Sequence, residues 1–426
     1  MITQNKWLEF LATFFGLVEV DIEIPEEKYE MFGEMPPIFK NMEYTEEESG
    51  EYMKDVISKI NKKQVETESK SKTSRKLIAS LKASRILMKS TQLLWLLEKG
   101  VVITKLYGVI PARRGKPFKD FVEWVSDERR KGDRDTIYAI IAEAAKTVGN
   151  SAYGRTGMNR NKFKNVKFCS EKQFNRAKNN YFYYDAEEHH ASLEAGPEVG
   201  SEHDGIYEVI SRPRKIQQNM PIQVAFSVLS DAKLRMLEFY YDCIDKYIDR
   251  KDYQYMYMDT DSAYMALSDD FDNLIKPELR KEFEDNKKNW FPRTDTPENK
   301  VHDRRKPGLF KIEYEGDGMV ALCSKTYYSW GASGGGDCGG KDKFSIKGVQ
   351  YQNDRNKEIL NKEQYKQCLM DKITKACQNK GFRYVKGKAG ECGTMNTYEQ
   401  NKIGLTPIYI KGVVMDDGVH VRPLNV

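Results

Sequence analysis

Residues 253–267 read Tyr-Gln-Tyr-Met-Tyr-Met-Asp-Thr-Asp-Ser-Ala-Tyr-Met-Ala-Leu, an acidic triplet held between two aromatic, alternating runs. Alternation of period two on both sides of Asp259-Thr260-Asp261 predicts two strands around a tight turn. In extended chain the side chains at i and i+2 share a face, so both carboxylates can meet one cation while Thr260 points away. Two like charges so close are costly unless neutralised. A bare D-x-D is more often a surface turn. Here aromatic strands border it and a long apolar helix is predicted just upstream, so the turn caps a core element, and two hard oxygen donors there suit Mg²⁺.

The rest of the chain bounds the setting. At about 150 residues per domain, 426 residues allow two to three domains, and 39% hydrophobic with 12% aromatic content fills real cores. No run approaches the roughly 18 apolar residues of a membrane span. The best candidate, Trp7 to Val20, contains Glu9 and Glu19 and is followed by no small-residue cleavage pattern, which argues against a secretory leader. Seven cysteines without a C-x-x-C pair fit reduced thiols in an intracellular compartment, and five scattered histidines argue against a zinc site. Net charge is only +5, but between Lys99 and Arg134 ten basic residues face five acidic ones.

Along the chain, Phe14 to Ile24 predicts a strand, and the prolines of Glu34-Met35-Pro36-Pro37 exclude a helix there. Residues 41–76 read as a solvated helix or flexible connector. The spacing predicts a helix over 77–99, with Leu77, Leu81, Ile86, Leu87, Leu93, Leu94 and Leu97 on one side and Gly100 as its stop, then a strand from Val101 to Tyr107. A helical hairpin follows, from Phe118 to about Arg130, breaking at Gly132 and restarting at a cap on Asp135. Residues 155–220 are polar and weakly periodic, an insertion of irregular or short-strand structure. Residues 222–249 form the clearest helix, with Ile222, Phe226, Leu229, Met236, Leu237, Tyr240, Tyr241, Ile244 and Ile248 as a core-facing stripe. The last third alternates strand candidates with helical ones at 357–379 and a glycine-rich loop from Gly331 to Gly340.

Two more constellations carry chemistry. In Lys146-Thr147-Val148-Gly149-Asn150-Ser151-Ala152-Tyr153-Gly154, helical geometry aligns Lys146, Asn150 and Tyr153 on one face and puts Ile137, Ala144 and Val148 opposite. A cation, an amide and a ring so aligned can hold a triphosphate and stack on a base; the bland alternative, a solvated lysine and a core tyrosine, weighs evenly against it. Lys325-Thr326-Tyr327, followed by Lys347, places a lysine and a tyrosine on one side of a strand. Alone this is a weak signal.

In order and spacing the three together resemble the B-family DNA polymerases, in particular the protein-primed type of viruses, linear plasmids and mobile elements. Lys146 to Gly154 matches K-x-x-x-N-S-x-Y-G, Tyr257 to Ser262 matches Y-x-D-T-D-S, and Lys325 to Tyr327 matches K-x-Y. The resemblance implies an α+β right hand: a palm with an antiparallel sheet, helical fingers and a thumb; the exonuclease domain that lies upstream of these in the family is expected to be lacking here, because its look-alike motifs fall in the wrong places. It divides the chain into an N-terminal palm segment and charged connector (1–74), fingers (75–160), an insertion (161–220), palm with the catalytic hairpin (221–322) and thumb (323–426). It implies a DNA-directed DNA polymerase with two Mg²⁺ ions, bound by Asp259 and Asp261. Lys146, Asn150 and Tyr153 would hold the incoming nucleotide, helped by a second fingers cation for which Arg134 and Arg129 or Arg130 are alternatives. Ser151, Gly154, Tyr257, Thr260, Lys325, Tyr327 and Lys347 would contact DNA. Primer-template, deoxynucleoside triphosphates and a terminal priming protein are the implied partners.

The family's first palm motif, D-x-x-S-L-Y-P, which supplies another metal-binding aspartate, occurs nowhere in this chain. Met1 stands just past its expected place, so the expectation is an incomplete polymerase portion that extends primers poorly by itself. A catalytically dead DNA-binding remnant is the rival reading. Asp21-Ile22-Glu23, Asn180 to Asp185 and Tyr241 to Asp245 imitate exonuclease motifs in the wrong places, and are read as a strand, part of the insertion, and helix core. Gly335 to Lys341 has the form of a phosphate loop, but Asp342 stands where its Ser or Thr belongs.

Overall fold

Alternation first takes effect at the N-terminus, where a helix, α1 (Gln4–Thr13), leads into β1 (Gly16–Glu23) with Val18, Val20 and Ile22 turned inward. The computed structural model describes residues 3–44, 46–63, 74–189, 206–332, 340–385 and 394–425. After β1 come β2 (Phe39–Tyr44), α2 (Gly50–Lys63), β3 (Ser74–Ala79), β4 (Lys82–Lys89), α3 (Ser90–Glu98) and β5 (Val102–Pro111). β1 pairs antiparallel with both β4 and β5, and β2 pairs with β3.

The helix expected over 77–99 is therefore helical only from Ser90 onward. Leu77 and Leu87, which made the helical stripe, are 46% and 40% exposed, while Ile78, Ala83 and Met88 are buried. Open strand edges on β1 and β2 outweigh a local period that fitted either element. The supposed connector is also structured. α2 buries Met53, Val56, Ile57 and Ile60 together with Val414 of β16 (Val413–Val414), which pairs with β17 (Val421–Arg422). Leu424 then exchanges backbone hydrogen bonds with Ala79 and Leu81, closing the chain's last residues onto its first third.

The helical hairpin is α4 (Lys119–Arg134) and α5 (Ala139–Thr156). α4 runs through Gly132, and the break falls at Asp135, whose carboxylate accepts the Ile137 N–H. Gly132 is needed for approach instead: a Cβ there would lie 2.4 Å from the Ala142 Cβ. The insertion is more regular than expected, with β6 (Asn165–Ser170), α6 (Glu171–Ala177), β7 (Tyr183–His189) and β8 (Ile206–Ser211) forming a sheet ordered β6-β8-β7.

α7 (Ile222–Glu238) begins on the surface, with Ile222 63% and Leu229 50% exposed, against the stripe read from sequence. It enters the core only at Met236, and a wider π-helical turn over Phe239–Ile244 then buries Phe239, Tyr240, Tyr241, Cys243 and Ile244. A regular helix would have turned some of these outward. A short α8 (Asp245–Tyr247) leads to β9 (Tyr253–Asp259) and β10 (Ser262–Leu267). One core joins β1, β4, β5 and α3 to this turn. Further along lie α9 (Arg280–Trp290), α10 (Pro297–Asp303), the sheet of β11 (Gly318–Cys323), β12 (Thr326–Trp330) and β13 (Lys343–Ser345), α11 (Asp354–Lys357), α12 (Lys362–Met370), and the long hairpin of β14 (Lys375–Val385) and β15 (Thr394–Leu405). All strand pairings between these elements are antiparallel, an α+β arrangement. Among the described residues no helix is long and apolar enough to cross a membrane.

Glu34 ties this core together. It accepts from the Tyr240 hydroxyl at 2.6 Å and the Tyr255 N–H at 2.9 Å, and pairs with Arg250 at 2.7 Å. Glu34→Ala should lower stability by about 2–3 kcal/mol, since it strands the Tyr240 hydroxyl and the Tyr255 N–H and removes the partner of the half-exposed Arg250; urea unfolding checks this. On α7, the Lys233 ammonium sits over the Phe39 ring at 4.6 Å, and burial pushes its pKa from 10.5 down to about 7. The unfolded chain then binds more protons between those values, so this group makes stability rise as pH climbs from about 7 towards 10. Lys233→Met should flatten that rise when urea midpoints at the two ends of the range are compared.

Candidate active site

The sequence expectation of a tight acidic hairpin is met: Asp259 pairs with Ser262 across a two-residue turn. Thr260 has φ of 57°, a left-handed conformation that is rare for a β-branched residue. Its hydroxyl donates to Asp259 Oδ1 at 3.2 Å, the Asp261 N–H donates to the Asp259 carbonyl at 2.6 Å, and the Ser262 hydroxyl donates to the same carbonyl at 3.2 Å. The turn is thus held in one shape, with both carboxylates at its tip.

The K-x-Y segment lies against this hairpin, in a different form from the one read from sequence. Lys325 is not a strand residue sharing a face with Tyr327. It occupies the turn between β11 and β12 with φ of 63°, and its N–H donates to the Tyr257 hydroxyl at 2.7 Å. Its ammonium stands 3.5 Å from Asp259 Oδ2. Tyr327, expected to face DNA, is 8% exposed, and its hydroxyl accepts from Tyr264 at 2.7 Å. The rings of Tyr257, Tyr264 and Tyr327 pack with centroids 5.0 to 5.4 Å apart. Burial pushes all three phenols up, so each stays a neutral donor and acceptor. Lys347 is exposed on the turn after β13, which is bound to the same unit through the Ser345 hydroxyl and the Lys325 carbonyl.

α5 carries Lys146, Asn150, Ser151, Tyr153 and Gly154, all exposed. The face opposite Lys146 is not core: Ile137 is 81% and Val148 47% exposed, Ala144 is exposed too, and on this helix only Ala145 is buried. The helix packs through small residues, Gly149 against Val125 of α4 and Gly157 against Ala225 of α7. Lys146 pairs with Glu143 at 3.1 Å. α7, on which α5 rests, is the helix that runs on towards β9 and the acidic turn.

The candidate fingers cations differ in their surroundings: burial lowers the pKa of Arg129, and the other two differ in what they touch. The Arg130 guanidinium donates to the carbonyls of Arg304 and His302 and pairs with Asp127. Nearby, Asp133 takes both Arg305 and Arg304, which hold its carboxyl below the usual range. Arg134, the last residue of α4, is exposed. Of the exonuclease look-alikes, Asp21 lies on β1 and accepts from the Arg85 N–H and the Tyr107 hydroxyl, Asp185 lies on β7 in the insertion, and Tyr241 is core, donating to the Met35 carbonyl. Of the phosphate-loop look-alike, residues 335–339 lie outside the described residues, and Lys341 is followed by strand β13 instead of a helix.

Asp259 and Asp261 offer hard oxygen donors of the kind Mg²⁺ takes. Among the described residues no group of three or more His, Cys, Asp or Glu that could hold a metal ion is found. The side chain sequence reasoning missed is Glu34; its signal was a single acid set among apolar residues ahead of Pro36-Pro37.

The structure thus sets Lys325 of the K-x-Y turn against the acidic hairpin, while Lys146, Asn150 and Tyr153 stand exposed on α5, with no contact between α5 and the hairpin among the principal packing contacts of the described residues. The chain matches the family model of DNA polymerase type B, organellar and viral, over residues 27–244, just over half its length, and it belongs to that family. The matched span contains α5 and α7, and the acidic hairpin follows it. Membership of a DNA polymerase family implies DNA and deoxynucleoside triphosphates as substrates. No curated protein and no solved structure shows a significant match. Because Thr260 is strained, Thr260→Asn should raise stability by up to about 1 kcal/mol, asparagine tolerating that conformation; denaturant titration of the two proteins checks it.

Proposed function

We propose that this chain is the polymerase portion of a DNA-directed DNA polymerase with a right-hand arrangement, in which residues 1–74 and 221–322 serve as palm, the α4–α5 hairpin as the working part of the fingers (75–160), 161–220 as an insertion and 323–426 as thumb. The observation that carries the reading is the acidic hairpin with Lys325 of the K-x-Y turn set against Asp259. Asp259 and Asp261 would hold the Mg²⁺ ions, which when bound lower the pKa of the primer 3′-hydroxyl and neutralise charge on the triphosphate. A further carboxylate, the role of the family's D-x-x-S-L-Y-P motif, would complete the two-ion site.

Lys146, Asn150 and Tyr153 would bind and orient the incoming nucleotide from an exposed helix face, Lys146 exchanging Glu143 for phosphate. Arg134 is favoured over Arg130 as the second cation, because the Arg130 guanidinium is already engaged by two carbonyls and Asp127. Ser151, Gly154, Tyr257, Thr260, Lys325 and Lys347 would line the primer-template, with Tyr327 acting from beneath as support for Tyr264 and Tyr257. A terminal priming protein is the proposed partner for initiation.

The test is Mg²⁺-dependent primer extension by the chain together with a segment carrying D-x-x-S-L-Y-P. Asp261→Asn should abolish incorporation and leave primer-template binding intact, while equal loss of both would make the acid a folding residue. Lys146→Ala should raise the apparent KM for nucleotide about tenfold or more; a change confined to DNA affinity would remove that helix face from the nucleotide site.

A further inference from the structure

Two segments that flank the insertion's sheet, 155–167 and 212–220, together carry eight lysines and arginines and no aspartate or glutamate, in a chain whose total charge is +5. The fold brings them face to face. Arg160 donates to the Gln217 carbonyl at 3.0 Å and the Gln218 amide donates to Asn161 at 3.1 Å, fixing the two walls against each other. Below them, Gly157 lets the end of α5 sit on Ala225 of α7, where a Cβ would come within 2.8 Å. What remains between the walls is an open cavity of about 300 Å³, lined among others by Arg155, Met158, Arg160, Phe163, Lys215 and Ile216.

The lining mixes two chemistries. Phe163, Met158 and Ile216 are 47%, 41% and 41% exposed, so flat and flexible apolar surface is left open to solvent. Cations surround it without a carboxylate in either segment to neutralise them. Apolar faces ringed by unopposed positive charge suit a base and its phosphate, with the ring stacking and the cations meeting the backbone. A duplex does not fit this description, since its bases present edges rather than faces. The carboxyl end of α5 repels anions, so the phosphate must be held by side chains and not by that helix terminus.

We propose that this pocket binds one unpaired nucleotide of single-stranded DNA, its base against Phe163 and Met158 and its phosphate on Arg155 and Lys215. The inference rests on the polymerase reading only in taking DNA as the polyanion. It adds a single-strand site at the junction of α5, the insertion and α7, separate from the acidic hairpin.

The experiment is fluorescence anisotropy of the full chain with a labelled oligo(dT), a blunt duplex of equal length, and unlabelled dTTP as competitor, over a range of salt. Phe163→Ala should weaken oligo(dT) binding about tenfold and leave duplex binding unchanged. Phe163→Leu, which keeps apolar volume without a stacking face, should weaken it in the same direction and decides the matter if the alanine variant unfolds. Arg155→Gln with Lys215→Gln should lower the salt dependence of oligo(dT) binding. Binding of oligo(dT) by Phe163→Leu and by the double variant as tightly as by wild type would overturn the proposal, as would equal loss of single strand and duplex, or ready displacement by dTTP, which would make this a mononucleotide site. Each outcome is independent of what Asp261→Asn does to incorporation, so the two readings fail separately.

Discussion

One carboxylate, Glu34, determines where the acidic hairpin can sit. It joins three pieces far apart in the chain: the loop before β2, the π-helical turn through Tyr240, and the first residues of β9 through the Tyr255 N–H and Arg250. Tyr241 adds a second tie by donating to the Met35 carbonyl. A buried carboxylate is costly unless its oxygens are matched, and here hydroxyl, amide and guanidinium all converge on it. The strand that ends at Asp259 is therefore tied at its far end to the loop before β2, within the stretch that pairs with β10.

At its near end the same strand is held by phenols. Tyr257 accepts the Lys325 N–H, Tyr264 donates to Tyr327, and the three rings pack on one another. The Lys325 turn is thereby fixed to the acidic turn, and both carry a non-glycine residue in the left-handed region. Strain of this kind costs of order 1–3 kcal/mol per residue and persists only where the surroundings over-determine it. The consequence is electrostatic: the Lys325 ammonium meets Asp259 at 3.5 Å and offsets part of the repulsion between two neighbouring acids. Both partners are partly exposed, so the pair is weak.

How much of this was legible in sequence depends on whether the governing contact was local. The acidic hairpin was, because alternation and turn chemistry act within fifteen residues. The Asp135 cap was as well, though the break was placed at Gly132, whose purpose is close approach to Ala142 and not termination. The segment 77–89 was not legible, since Leu77, Leu81, Ile86 and Leu87 satisfy a helical period while the deciding partners, β1 and β2, lie more than thirty residues away. The stripe on α7 failed for a related reason: Ile222 and Leu229 continue the period, but nothing covers them until the helix reaches the core at Met236. Lys325 and Tyr327 were read as neighbours on one face, and a left-handed turn residue broke that rule.

The same reasoning explains why the α4–α5 hairpin can be so exposed and still hold its place. Its helices touch through glycine and alanine, Gly132 on Ala142 and Gly149 on Val125, so they approach closely while burying little side-chain area. Large residues such as Ile137 and Ile140 remain more than 80% exposed, and contribute almost nothing to holding the hairpin. It is attached beside its bend, where Arg130 grips two carbonyls of 302–304 and Asp133 takes Arg304 and Arg305, and at the end of α5, where Gly157 rests on Ala225 of α7. Between these attachments the large apolar side chains along the pair, Val122, Trp124, Ile141 and Val148, stay exposed. Lys146 lies on that exposed length, and Glu143 beside it supplies the only ion pair it makes among the described residues. The side chains proposed to meet the nucleotide thus stand exposed on α5, while the strand that carries Asp259 is held near both of its ends.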